Sequence, residues 1–158
     1  MPPSPGPHRP DLRAVEIALR VRYAETDQMG IVYHSHYAVW FEIGRTEFCR
    51  AAGLPYRGLE ESGLRIPVIG LECKYRRPAR YDDDLRVRTT LPDLSPRGLT
   101  FSYEVLDRED LRMADGATRH IFADVAGKPR RAPEHVLETL ERFREAPQRE
   151  PERGRSNP

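Results

Sequence analysis

Residues 23–37 gather polar and ionisable side chains where a chain reversal would need only a turn: Tyr23-Ala24-Glu25-Thr26-Asp27-Gln28-Met29-Gly30-Ile31-Val32-Tyr33-His34-Ser35-His36-Tyr37. Asp27 stands in a Gly-containing loop just ahead of apolar residues at helical spacing. The first backbone N–H groups of a helix have no partners inside it and attract negative charge. A carboxylate beside free donors suits acyl transfer. The donors can hold the oxygen that turns negative in the transition state, while the carboxylate attacks the carbonyl or activates a water. Asp27 has a plainer reading too, because Asp is favoured in loops and at helix starts for hydrogen bonding alone. Spacing leaves both readings open.

Other groups with chemical potential carry weaker patterns. His34-Ser35-His36 has the form of a His-x-His metal pair, but the side chains diverge at a helix start and no third ligand set accompanies them, so no metal and no cofactor are expected. Glu42 and Glu47 fall on the helix, where a salt bridge or a subunit contact is the ordinary use of Glu47. Cys49 and Cys73 stand far apart and in no Cys-x-x-Cys arrangement, which gives neither a disulfide framework nor a zinc site and leaves two reduced thiols.

The elements that must position these residues are legible from periodicity. Residues 15–23 alternate, with Val15, Ile17, Leu19, Val21 and Tyr23 on one face, as a half-buried strand does. Tyr33, Tyr37, Trp40, Phe41, Gly44 and Phe48 recur at steps of three and four and predict a long, mostly buried helix to about residue 52, stopped by Gly53. Gly44 in that stripe lets another backbone approach, so the helix should lie against a sheet. Runs over 66–75, 84–91, 99–106 and 111–125, separated by short polar turns, predict four strands in an antiparallel meander. Pro133 opens a final amphipathic helix with Val136, Leu137, Leu140 and Phe143 inward. The class is α+β, with one antiparallel sheet on one central helix.

Size and charge bound the function. A chain of 158 residues fits one domain. Residues 13–144 should hold it, between Pro- and Arg-rich segments at 1–12 and 145–158 that read as disordered tails. With 26 Lys and Arg against 25 Asp and Glu, the chain lacks the basic footprint of nucleic-acid binding. No apolar run is long enough to span a bilayer and the first residues do not form a secretory signal, so a soluble cytoplasmic protein is expected.

The pattern Tyr23-x-Glu25-Thr26-Asp27-x-Met29-Gly30-x-Val32-Tyr33-His34-x-x-Tyr37 resembles the signature of the 4-hydroxybenzoyl-CoA thioesterase-like family, in particular its branch of Tol-Pal-associated acyl-CoA thioesterases. Arg45-Thr46-Glu47, Arg77-Pro78-Ala79-x-Tyr81-Asp82-Asp83 and Gly127-Lys128-Pro129-Arg130-Arg131-x-Pro133 resemble the same branch in the same order. Together the likeness covers about residues 14–143. It implies a hot-dog fold, a sheet wrapped around one long helix. It further implies that two subunits join their sheets and that active sites lie between subunits, in a dimer or tetramer with the tetramer preferred.

By the same resemblance Asp27 is the catalytic carboxylate, and the backbone N–H of His34 polarises the thioester carbonyl. Tyr23, Tyr33 and the His34 side chain line the site, and Arg97 binds a phosphate of coenzyme A. Arg76, Lys128 and Arg130 are further cations for that role. The implied activity is hydrolysis of a small, medium-chain or aromatic acyl-CoA. A hot-dog subfamily with a helical Glu leaves Glu42 and Glu47 as alternatives to Asp27. A non-catalytic subunit that binds acyl-CoA or a protein is the competing function, and the intact Asp27 speaks against it.

Overall fold

In the computed structural model, which describes residues 9–148, the chain runs β1 (Val15–Arg20), α1 (His36–Ala51), α2 (Tyr56–Glu61), β2 (Val68–Tyr75), β3 (Asp84–Ser95), β4 (Gly98–Leu106), β5 (Arg112–Ile121) and α3 (Glu134–Glu145). All five strands form one antiparallel sheet in the order β1-β3-β4-β5-β2. The expected α+β arrangement is present: α1 lies across the inner face of the sheet. No helix among the described residues is long and apolar enough to cross a membrane.

The alternation read from the sequence decides which face is inward. Leu85, Val87, Thr89 and Leu91 of β3 and Leu99, Phe101, Tyr103 and Val105 of β4 are buried, and their in-between neighbours, apart from the buried Thr90, are half-buried on the other face. Against them α1 sets Tyr37, Trp40, Phe41, Gly44 and Phe48. Phe41 stacks on Tyr103 with ring centres 4.3 Å apart, and Phe48 meets Phe101 edge-on at 5.5 Å. Gly44 makes this approach possible: a Cβ there would lie 2.5 Å from Thr89 Oγ1 and 3.1 Å from Val87 Cγ1. Helix α3 closes one end of the core with Val136 and Leu140, and Phe143 contacts Phe48.

Several expectations are corrected in detail. The meander holds only for β3, β4 and β5; β2 pairs with β5 at the far edge and β1 pairs with β3. Strand β1 stops at Arg20 because the Glu25 side chain draws in the Arg22 N–H at 2.8 Å and folds Tyr23–Glu25 into a 3-10 turn. Helix α1 starts at His36, not at Tyr33, because Val32 and Tyr33 donate their N–H groups to Ala79 and Glu25 carbonyls and are held extended. Strand β3 continues past Leu91 to Ser95, with an irregularity between Thr90 and Asp93 where Pro92 lacks an N–H. Arg144 satisfies the carbonyls of Leu91 and Pro92 there. The short helix α2 has no counterpart in the sequence reading.

Of the expected tails, residues 1–8 and 149–158 lie outside the described residues. Of the described part of these segments, residues 9–11 are exposed and Leu12 is buried, its carbonyl accepting from Gln148 Nε2.

Strand β5 carries a buried histidine whose hydrogen bonds fix its tautomer. His120 Nδ1 faces the Ile66 carbonyl at 3.1 Å, and a carbonyl only accepts, so Nδ1 holds the proton. Nε2 then accepts from Thr118 Oγ1 at 2.8 Å, and Thr118 in turn accepts from the Tyr103 hydroxyl at 2.6 Å. Burial, with the positive charge of Arg45 adding to it, pushes the His120 pKa down from 6.5 to about 4. Folding therefore favours the neutral ring. This stabilisation is complete above about pH 6.5, where His is neutral in the unfolded chain as well, and is lost as the pH falls toward 4. The gap between the two values corresponds to about 3 kcal/mol. Urea unfolding at pH 7 and at pH 4 should show this loss in the wild type, on top of the loss shared with a His120→Asn variant, whose dependence on pH should be flatter.

Candidate active site

The loop ahead of α1 is built by hydrogen bonds that its own sequence supplies. Glu25 is buried, 4% exposed, and its carboxylate accepts from the Arg22 N–H and, at 3.0 Å, from the Trp40 indole of α1. Burial alone would raise its pKa; the bonds from Arg22 and Trp40 outweigh that and hold it below the usual carboxylate range. Glu25 thus fastens the loop to the helix it precedes. Thr26 and Val32 pair as an isolated antiparallel bridge, which closes a tight loop over residues 27–31.

Asp27 sits half-buried at the start of that loop. Its N–H donates to the Ile31 carbonyl at 2.9 Å, and its own carbonyl accepts from Gly30, which takes a φ of 75° that few other residues adopt readily. The side-chain Oδ1 accepts from the Met29 N–H at 2.8 Å. Oδ2 accepts from none of the described residues. One carboxylate oxygen is therefore held by the backbone, which fixes the group's orientation, and the other remains open.

The start of α1 supplies the donors. The His36 N–H donates to the Tyr33 carbonyl at 3.1 Å, and the Tyr75 hydroxyl donates to the His34 carbonyl at 2.9 Å. Ser35 occupies the N-cap position without a side-chain capping bond. Among the described residues none accepts from the N–H of His34 or of Ser35. A cavity of about 430 Å³ lies over this region, lined on its polar side by Asp27, Tyr33, His34, Tyr75 and two arginines, Arg76 and Arg77. Tyr37, Met29, Ile31 and Pro78 give it apolar walls. The arrangement has a carboxylate, the unpaired N–H of His34 and an apolar surface in one place, with the Ser35 N–H on the next residue of the chain.

Four of the residues singled out from sequence, Asp27, Tyr33, His34 and Arg76, line this cavity together. Tyr23 does not: it is 77% exposed and rests edge-on against Tyr81 at 5.5 Å. Arg97 sits in the β3–β4 turn, where its N–H donates to Ser95 Oγ and its carbonyl accepts from Phe122, and it is absent from the cavity lining. Glu47 forms an ion pair with Arg50 one turn further along the helix, and Glu42 is exposed. Trp40 and Phe41 are core residues; Tyr37, though buried, reaches the cavity wall.

Tyr75 and Arg77 were missed as site residues. Tyr75 ends β2 and Arg77 lies two residues beyond it, and this end of the strand reaches the helix start because β2 pairs with β5 at the sheet edge. Arg76 and Arg77 both donate their N–H groups to the Met113 carbonyl, at 2.8 and 3.0 Å, so this end is well held. The Arg76 side chain is committed to Asp115 at 2.7 Å.

Residues 21–140 match the model of the thioesterase-like superfamily. The fold superposes on the crystal structure of a hypothetical protein, TT1821, from Thermus thermophilus with a TM-score of 0.77 and 44% identity, over 81% of this chain and 98% of that one. It is similar to the DHNA-CoA thioesterase of Staphylococcus aureus, with a TM-score of 0.73 and 30% identity over 75% of this chain and 80% of that one. In sequence it is 33% identical, over 70% of its length and 80% of the relative's, to a Haemophilus influenzae protein named acyl-CoA thioesterase YbgC. With the family model spanning most of the chain and the sheet-wrapped helix in place, the chain belongs to the thioesterase-like superfamily and is a thioester hydrolase of the hot-dog fold.

Proposed function

We propose that the protein hydrolyses a small, medium-chain or aromatic acyl-CoA to the free acid and coenzyme A, with Asp27 as the catalytic carboxylate. The observation that carries this is the pairing of a carboxylate fixed through one oxygen and open at the other with unpaired N–H groups at the start of α1. The names of the Haemophilus and Staphylococcus relatives agree with the substrate class. The thioester carbonyl oxygen would take the His34 N–H, and Tyr33 and the His34 side chain would flank it.

Asp27 then acts in one of two ways. As a nucleophile it attacks the carbonyl carbon, the C–S bond breaks, the thiolate leaves as coenzyme A, and water cleaves the resulting anhydride. As a general base it takes a proton from water, whose oxygen attacks the carbon directly; the C–S bond breaks and the proton passes from Asp27 to the leaving thiolate. A thioester requires little further help, since sulfur donates weakly into the carbonyl and the thiolate leaves readily.

The working unit is a homo-oligomer. Strand β2 is an edge, and its Val68, Ile69, Leu71 and Tyr75 are each 43–60% exposed; Val39 and Ile43 of α1 are exposed as well. An unpaired apolar edge invites a second strand, and a second copy of β2 would join two sheets and lay two α1 helices side by side. Arg97 and Tyr23, outside the cavity of their own subunit, would then serve the site of a partner, Arg97 by charge-assisted hydrogen bonds to a coenzyme A phosphate. Two such dimers give the preferred tetramer. Sedimentation should show a dimer or tetramer for the wild type, and Leu71→Lys should shift it toward monomer.

Thiol release from a panel of short, long and aromatic acyl-CoAs tests the activity. The wild type should cleave at least one member and Asp27→Asn should lose about a hundredfold or more in kcat/KM. Equal rates for the two proteins, or no cleavage of any member, would reassign Asp27 to a structural role and favour the non-catalytic subunit or a helical Glu.

A further inference from the structure

The backbone donors at the start of α1 belong to two consecutive peptide planes, and each plane is held through its carbonyl. In a trans peptide the C=O and the N–H point in opposite directions, so pinning one aims the other. The Tyr33–His34 plane is pinned by the His36 N–H on the Tyr33 carbonyl at 3.1 Å, which aims the His34 N–H away from the helix. The His34–Ser35 plane is pinned by a side chain from outside the segment, the Tyr75 hydroxyl on the His34 carbonyl at 2.9 Å. No other group among the described residues holds that carbonyl.

We infer that Tyr75 is a positioning residue for the hydrolysis: its hydroxyl, donated to the His34 carbonyl, fixes the His34–Ser35 peptide plane so that the Ser35 N–H joins that of His34 at the thioester oxygen as it becomes negative. The inference rests on the proposed thioesterase reading and deepens it.

Three features support the assignment. Tyr75 is itself placed from two sides: its strand residue pairs with Ala114 of β5, and its ring meets Tyr37 edge-on at 5.1 Å. A donor mounted on a paired strand holds its direction better than one on a loop, and transition-state stabilisation depends on donors that do not reorganise during reaction. A peptide whose carbonyl accepts a hydrogen bond is also polarised so that its N–H becomes a better donor. Finally, the hydroxyl stays protonated at any working pH, because burial and the neighbouring Cys73 raise its pKa to about 12.

The step asks nothing of Tyr75 in proton balance. It donates to a carbonyl throughout and neither gains nor loses its proton, so its effect should fall on the rate of the chemical step and not on the pH profile.

The test compares the wild type, Tyr75→Phe and Asp27→Asn with the best acyl-CoA of the panel. Tyr75→Phe keeps the ring and its contact with Tyr37 and removes only the donor. Its kcat should fall about tenfold, less than the loss on removing a direct oxyanion donor, with KM and thermal midpoint close to the wild type. The amide resonances of His34 and Ser35 should shift in the 15N–1H spectrum of the variant while those of β4 stay in place. A kcat within about twofold of the wild type, with Asp27→Asn inactive, would overturn the role of Tyr75 and leave the thioesterase reading intact. A wild type that cleaves nothing would overturn both.

Discussion

The close seating of α1 on the sheet is the constraint from which the rest of the structure follows. Gly44 lets the helix come within contact of Thr89 and Val87, and the aromatic stripe on the same face locks its rotation through Phe41 on Tyr103 and Phe48 on Phe101. A helix fixed along its length and about its axis presents its first turn at one place only. The loop before it is fastened to it in turn by Glu25, whose buried carboxylate is bonded to Trp40 of the helix. Packing energy that the core supplies is thereby converted into the placement of Asp27 and of two peptide planes, with Gly30 and the loop's own hydrogen bonds setting its local shape.

How much of this could be read from the chain depends on sequence distance. The helix stripe, the alternating strands and the sheet-on-helix class are local patterns, and they match what is observed except at element ends, where side chains and carbonyls from elsewhere compete for the backbone. Glu25 pulling in the Arg22 N–H and Ala79 accepting from Val32 are such cases. Asp27, Tyr33 and His34 of the continuous segment 23–37 share one cavity, and Tyr23 of the same segment does not line it. Tyr75 was not legible: its reach to His34 spans 41 positions and depends on β2 leaving the expected meander for the far side of β5. Periodicity describes which face of a strand is buried and carries nothing about which strand is its neighbour.

The chemistry proposed for the site is economical in the groups it uses. An oxygen of Asp27 bonded to the Met29 N–H cannot turn away from the cavity without breaking that bond, so the open oxygen is presented in one orientation. Two backbone N–H groups carry no formal charge and leave the carboxylate nucleophilic, where a lysine or arginine in the same place would pair with it. The nearby cation Arg76 is occupied by Asp115, which keeps one positive charge from competing for Asp27.

Strand β2 ties two of these features together. Its outer edge has unpaired backbone and exposed Ile69 and Leu71, surface that a lone subunit would leave against water at a cost of roughly 25 cal/mol for each Å². Its end carries Tyr75, the side chain that holds the His34 carbonyl. A partner strand laid along β2 would stiffen the element on which Tyr75 is mounted, and would do so at the residue nearest the donors. In that case assembly and donor geometry are coupled by a single strand, and a subunit separated from its partner would lose precision at the site before it lost its fold, because the core around α1 does not include the β2 edge.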